Sequence, residues 1–325
     1  MKNQLITFIS KQCIRLVLLL IAISMISFAL LVMSPIDPID AYFTGVAVSD
    51  EQKAIVSAYW QFDRPPVERY WHWATNMLSG NWGDSFVYKA PVLQVISDKF
   101  TSTLLLMLVS WSLSGVVGFS LGVISGIYQG KTLDRCINYF ALVSVSTPVF
   151  WLGILLVMVF AVELQWFPIA LSTPIGKSVE DVTWLERLHH LALPAITLSI
   201  TGVSAIVLHT REKMIDCMNS NYMLFAKARG ESLWVRVKRH GLRNVAIPAV
   251  TLHFASFAEL FGGAVLAESV FSYPGLGSAI TLAGLRGDVA LLLGAAILSA
   301  IFVFLGNLIA NILYIIINPE VQGGR

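Results

Sequence analysis

Apolar residues in this chain come in long blocks, and the charges fall between them. Read from charge to charge, six segments stand out: Arg15 to Asp37, Lys99 to Lys131, Arg135 to Glu163, Arg187 to Arg211, Arg243 to Glu268 and Asp288 to Glu320. Each encloses 21 or more residues, and only the fifth holds a charge, Glu259. A bilayer core about 30 Å thick takes about 20 residues of helix, and backbone groups left unpaired in hydrocarbon rule out anything but helices or closed barrels. The pattern predicts an all-α polytopic membrane helix bundle with about six transmembrane helices. Lys2, Lys11 and Arg15 give the first segment the flank of a signal peptide, but it is long and runs into Leu31-Val32-Met33-Ser34-Pro35 without a small-x-small cleavage pattern. It is read as a retained helix.

Composition sharpens the class. The 325 residues are 56% apolar and 13% charged, against roughly 25% charged in an ordinary soluble domain. The length would allow about two soluble domains, yet one membrane domain suits the block pattern better, and no nucleic-acid partner is expected. Cys13, Cys136 and Cys217 are scattered and lack metal or redox spacing. Charge also orients the bundle. The N-terminal end, the 129–135 turn, the 211–243 loop and the C-terminus hold 14 Lys/Arg against 5 acids, and the other connections hold 8 against 14. Basic loops stay cytoplasmic, so both termini and the 211–243 loop are expected there. The segment 35–98 is then external, and its Trp60, Trp71, Trp73 and Trp82 suit interfacial anchoring or a small subdomain of short helices. The organisation expected is an N-terminal transmembrane helix over 1–34, an external segment over 35–98 and a transmembrane domain over 99–320 with a cytoplasmic loop at 211–245.

Several stretches imitate enzyme motifs. Gly118-Phe119-Ser120-Leu121-Gly122 has the G-x-S-x-G form of a hydrolase elbow, which needs a strand before the serine and a helix after it. Here it sits within an apolar helix, and Gly115, Gly118, Gly122 and Gly126 mark a close-packing face. Gly126 to Thr132 ends like a phosphate-binding loop, but Ser125 stands where the first glycine belongs and no strand precedes it. His189 and His190 are adjacent, not spaced as a zinc pair, and suit an interface. His253 and Glu259, six residues apart, lie about 120° apart on a helix. No catalytic, cofactor or metal site is expected on this chain. Glu259 itself has two readings: a carboxylate facing a pathway, since charge in a bilayer is costly and usually faces a lumen or a partner, or an acid that locks helix packing beside Gly262 and Gly263.

The 211–243 loop is too long and basic for a plain connector. Tyr222, Phe225, Ala226 and Arg229 recur at i, i+3, i+4, i+7, the spacing of one helical face, and Gly230 is placed to end that helix. A second amphipathic piece, 233–239, follows, giving a cytoplasmic helical hairpin suited to docking. Arg236, Lys238, Arg239 and Arg243 also suit an anionic lipid surface. Pro194 and Pro248 are read at the first turns of the fourth and fifth spans.

From Asn221 to Thr251 the sequence resembles the EAA loop of ABC importer permeases, in the form of the dipeptide, oligopeptide and nickel branch. Ala226, Ala228 and Gly230 stand at the small positions, and Leu242-Arg243-Asn244 with Pro248 is similar to the closing L-R-N…P element. Leu224 and Phe225 replace the opening Glu-Ala. The resemblance extends to Asp63-Arg64-Pro65, Tyr70, Trp73 and Gly83-Asp84-Ser85, to Ser146-Thr147-Pro148-Val149-Phe150-Trp151-Leu152, to Val270 through Gly277 and to Asn318-Pro319. Tyr273 replaces the usual tryptophan of the F-x-W-P-G-L-G stretch, and Glu68-Arg69 replaces the commoner Val or Leu with Gln.

The resemblance implies a multi-pass permease of a bacterial cytoplasmic membrane. It pairs with a second, related permease, two ATP-binding subunits that hold the ATP and magnesium, and an external substrate-binding protein. Tyr222, Phe225, Ala226, Ala228, Arg229 and Gly230 are the expected ATPase-coupling residues, and Glu259 is the pathway candidate. Glu259 with Gly262-Gly263, and Glu163 through Pro168, resemble nickel-type permeases more than dipeptide-type ones. Nickel, a metal chelate or di- and oligopeptides are the cargoes implied. A membrane-embedded hydrolase using Ser120 and an ATP-independent secondary transporter are the alternatives from other classes, and the absence of obvious internal symmetry speaks against the second.

Overall fold

The computed structural model describes residues 2–33, 57, 64–174, 176–177 and 181–317. Trp60, Asp63, Asn318 and Pro319 lie outside the described residues, as does most of 35–63. Among the described residues, four helices are long and apolar enough to cross a membrane: α1 (Lys2–Val32), α3 (Val92–Ile127), α6 (Trp184–Met218) and α12 (Val289–Ile317). The other two expected spans are bent pairs. The third is α4 (Thr132–Val145) followed by α5 (Val149–Leu156) and its π-helical continuation Val157–Glu163, with 111° between the two parts. The fifth is α8 (Leu233–Arg236), a π turn Val237–Gly241 and α9 (Leu242–Ala255), then α10 (Phe257–Val270) after a 50° bend. Short helices α2 (Pro66–Leu78), α7 (Asn221–Ala228) and α11 (Leu276–Arg286) occupy the connections, and β1 (Asp84–Ser85) pairs antiparallel with β2 (Ala90–Pro91).

The third span is therefore not the single helix that its charge-free length suggests. Pro148 has no N–H to give and pushes Thr147 out of the helical region, while the hydroxyls of Ser146 and Thr147 bond back to the carbonyls of Leu142 and Val143 at 3.0 and 2.7 Å. Each half is too short to cross alone. Pro194 and Pro248 behave differently from expectation. Both lie inside helices, not in first turns, because α6 and the α8–α9 rod start well before the apolar stretch. The loop 211–243 shrinks for the same reason. The helices on both sides run out into it, so the expected hairpin is one short helix, α7, between two long ones.

The chain divides into two compact units. The first comprises residues 1–102 and 274–304. There α2 lies against α1, with the Tyr70 hydroxyl 2.9 Å from Ser24 Oγ and the Tyr70 ring edge-on to Phe28 at 5.5 Å. Asp288 caps α12 by accepting from the Leu291 N–H at 3.1 Å. Its other oxygen accepts from Ser85 Oγ and the Val87 N–H at 2.6 and 3.2 Å, which ties the β-turn to the helix start. Gly294 lets α12 come close: a Cβ there would stand 2.8 Å from Val92 Cγ1 and 3.1 Å from the Trp82 ring.

The second unit, residues 103–273 and 305–325, holds the rest of the bundle. Its seam is the glycine face of α3 on α6. Added Cβ atoms at Gly118, Gly122 and Gly126 would stand 2.8, 2.6 and 2.5 Å from Ile206, Thr210 and Met214, so only glycine permits this approach. A capping box starts α6, with the Thr183 hydroxyl accepting from the Glu186 N–H and Glu186 accepting from the Thr183 N–H.

Candidate functional site

The segment whose resemblance implies ATPase coupling is a helix of two turns, α7, between two long helices. Gly230, at φ +83°, ends α7 in a Schellman arrangement, its N–H donating to the Lys227 carbonyl and that of Glu231 to the Ala226 carbonyl. The face expected from spacing is split by the fold. Phe225 is 65% exposed, and Tyr222, Ala228, Arg229 and Gly230 are also outward, but Ala226 is only 4% exposed and turns inward with Met223. Spacing identifies a face without saying which side the bundle takes, and Leu224, 53% exposed, replaces Ala226 on the outer face. Trp234 and Val235 at the start of the next helix add exposed apolar surface.

Beneath α7 lies a packed apolar cluster. Met223 enters a cluster with Val123 of α3, Met214 and Cys217 of α6, Val237 of the π turn and Val245 of α9. Tyr222 pins the helix from the side: its hydroxyl donates to Cys217 Sγ at 3.2 Å and accepts from Asn244 Nδ2 at 3.1 Å. Asn244 belongs to the L-R-N element, so that element closes back on α7. Through this cluster α7 packs against α3, α6 and α9.

The motifs that imitate enzymes receive structural roles. Asp134, buried at the start of α4, accepts from Arg211 Nε and Nη2 at 2.6 and 2.9 Å, from Ser125 Oγ at 2.5 Å and from the Gly130 N–H at 2.8 Å. The look-alike phosphate loop is thus held by an internal carboxylate, with the ammonium of Lys131 5.1 Å from the Tyr128 ring centre. Ser120 and His253 both line a mostly apolar cavity of about 480 Å³ in the second unit. The Ser120 hydroxyl donates to the Val116 carbonyl of its own helix at 2.7 Å, and His253 is stacked flat on Trp111 at 4.1 Å. Mid-helix N–H groups are committed to the helix ladder, leaving no oxyanion donors of the kind acyl transfer requires. His189 and His190 hold the loop after the third span, through the Trp166 and Leu171 carbonyls at 2.8 and 3.2 Å.

Glu259 lies in the first turn of α10, just past the bend, and is exposed on its own chain. Glu259, Gly262, Leu266 and Ser269 follow one another at helical spacing on α10 and are all exposed. That stripe, small and polar but for Leu266, contrasts with the Ile, Leu and Val exposed along α1. Gly262 has open space where a side chain would be, whereas Gly263 packs on Leu198. The acid that the charge pattern misses is Glu268. Read as the marker of a span end, it is fully buried and accepts from Thr103 Oγ1 at 2.5 Å. Asp134 and Asp288 were hidden in the same way: each looks like a boundary charge until its partner, distant in sequence, is seen.

Residues 118–323 match the family described as binding-protein-dependent transport system inner membrane component, and residues 5–107 match its N-terminal companion. The chain is 30% identical over 316 residues to the oligopeptide transport system permease protein AppB of Bacillus subtilis, covering 97% of this chain and 99% of that one. It is 33% identical over 307 residues to a putative peptide permease of Brucella suis, covering 94% and 95%. It is 30% identical over 319 residues to the glutathione transport system permease protein GsiC of Escherichia coli, covering 98% and 99%. With its apolar helices and full-length likeness to permeases, the chain belongs to the binding-protein-dependent transport system inner membrane component family, as an all-helical membrane permease subunit of an ABC importer.

Proposed function

We propose that this chain forms half of the translocation pathway of an importer of short peptides, in company with a second related permease, two ATP-binding subunits and an external binding protein. The observation that carries this reading is the pairing of an outward apolar and basic surface on α7 with a packed core that links α7 to α3, α6 and α9. Leu224, Phe225 and Arg229 meet the ATPase, and Met223 and Ala226 pass its movement inward. ATP and magnesium belong to the partner, and the termini and α7 are cytoplasmic by the distribution of basic residues.

Peptide cargo is favoured by the relatives, whose names specify oligopeptides, peptides and glutathione. Nickel or a metal chelate is the second reading, and one observation favours it: the Glu259 carboxylate on the open stripe of α10. A carboxylate there serves a cation, or the ammonium end of a peptide. The experiment compares uptake of labelled nickel and of a labelled dipeptide in cells carrying wild type, Glu259→Gln or Glu259→Leu, normalised to permease abundance. Dipeptide uptake lowered by Gln at unchanged abundance supports a pathway role with peptide cargo. Nickel uptake without peptide uptake would replace the cargo, and full uptake by the Gln variant would remove the residue from the pathway.

A further inference from the structure

The exposed side of α9 changes character along its length, and the change lines up with the apolar cavity of the second unit. Arg239 of the π turn, Arg243, Ile247 and Val250 succeed one another at i, i+4, i+8 and i+11, along one helical face, and all four are exposed. Arg239 and Arg243 have no carboxylate partner among the described residues. Val250, at the other end of the stripe, lines the cavity of about 480 Å³. Two guanidinium groups therefore stand where the helix enters the membrane, and the exposed side chains that follow them are branched aliphatics.

The cavity lies between α3 and α9. Val116 and Phe119 of α3, Ile206 of α6 and Val250 supply most of its carbon, and the stacked rings of Trp111 and His253 complete it. Ser112 and Ser120 bring the hydroxyls, and that of Ser120 is already bonded within α3. Arg243 to His253 is a rise of about 15 Å at 1.5 Å per residue, half of a hydrocarbon core about 30 Å thick. Stripe and cavity together thus span one leaflet.

Shape and charge select the occupant. A helix with its side chains is about 10 Å across, or about 1,200 Å³ over that length, more than twice the cavity. A lipid chain is one methylene wide and fits. Guanidinium groups take a phosphate through paired N–H donors. Having no carboxylate partner, these two offer nothing to the cationic group of a zwitterionic headgroup.

We propose that α3 and α9 form a site for one anionic phospholipid, its phosphate on Arg239 and Arg243 and one acyl chain in the cavity against Trp111 and His253. The site serves the chain in the same way whichever cargo is carried.

The test uses the full chain in phosphatidylcholine vesicles holding a minor share of phosphatidylglycerol brominated along its acyl chains. Bromine quenches an indole that it touches, and the difference between wild type and Trp111→Phe isolates the Trp111 signal. The same share of brominated phosphatidylcholine is the control. Phosphatidylglycerol is expected to be preferred at Trp111 about fivefold to thirtyfold, the range for one to two basic residues near a lipid surface. Arg239→Gln with Arg243→Gln removes the preference, and Arg239→Lys with Arg243→Lys keeps most of it. Val116→Phe, from an exposed position, fills the cavity and lowers quenching by both lipids. Lipid retained by the full chain in native mass spectra gives the same preference without the Trp111 variant. Equal quenching by the two lipids in the wild type, or a preference that survives the double Gln variant, refutes the site. Quenching that disappears when a second permease joins the vesicles assigns the cavity to a permease interface and refutes it too.

Discussion

Gly122→Ala puts the packing of α3 on α6 to the test with a single methyl group. The new Cβ would stand 2.6 Å from Thr210 Cβ, 2.9 Å from the Val207 carbonyl oxygen and 3.0 Å from Thr210 Cγ2. Carbon atoms rest at about 3.5 Å or more, so the two helices must part by about 1 Å. Neither a backbone oxygen nor a β-carbon can swing aside, so the cost belongs in the upper part of the about 1–3 kcal/mol seen for overpacked cores. The assay is the thermal unfolding midpoint of the purified protein in detergent, followed by tryptophan fluorescence, beside uptake by the complex. Ser120→Ala, two positions earlier, removes a hydroxyl that bonds only within its own helix, and is expected to change stability by about 0.5 kcal/mol or less and leave uptake intact. A wild-type midpoint for Gly122→Ala would refute the seam. Loss of all activity in Ser120→Ala, at normal abundance, would revive the hydrolase.

Three further outcomes follow from the geometry. Leu224→Asp or Phe225→Ala is expected to weaken ATPase pull-down and uncouple ATP turnover at normal permease abundance, whereas Ala226→Asp buries a charge beneath α7 and lowers the amount of folded protein. Asp134→Ala strips Arg211, Ser125 and the Gly130 N–H of their shared acceptor and costs about 3 kcal/mol, the lower end for a broken buried pair because Arg211 is 25% exposed; the unfolding midpoint reads it. In a cysteine-free version, Ser79→Cys reacts with an impermeant external thiol reagent in sealed cells and Ser232→Cys does not; the reverse labelling inverts the orientation.

The apolar blocks located the membrane helices because a bilayer imposes length and hydrophobicity directly. They could not show the bend at Ser146-Thr147-Pro148, since a charge-free stretch looks alike whether or not it is continuous. Proline alone does not decide the matter either: Pro194 stays inside α6, while Pro148 ends a helix whose last carbonyls are taken by Ser146 and Thr147. In α7 the end at Gly230 is legible from the need for a left-handed residue, but the inward turn of Ala226 is not, because periodicity carries no information about which face is covered. Asp134, Glu268 and Asp288 escaped for a related reason. Their meaning lies in Arg211, Thr103 and Ser85, residues that only the fold brings near.

The most direct measurement is uptake of a labelled dipeptide by proteoliposomes holding this permease with the proposed second permease and pair of ATP-binding subunits, with and without ATP and the binding protein. Uptake is expected only when both are present, and is expected to fall in Phe225→Ala at equal permease content. Uptake that persists without ATP, driven by an ion gradient alone, would contradict the importer and make the chain a secondary transporter.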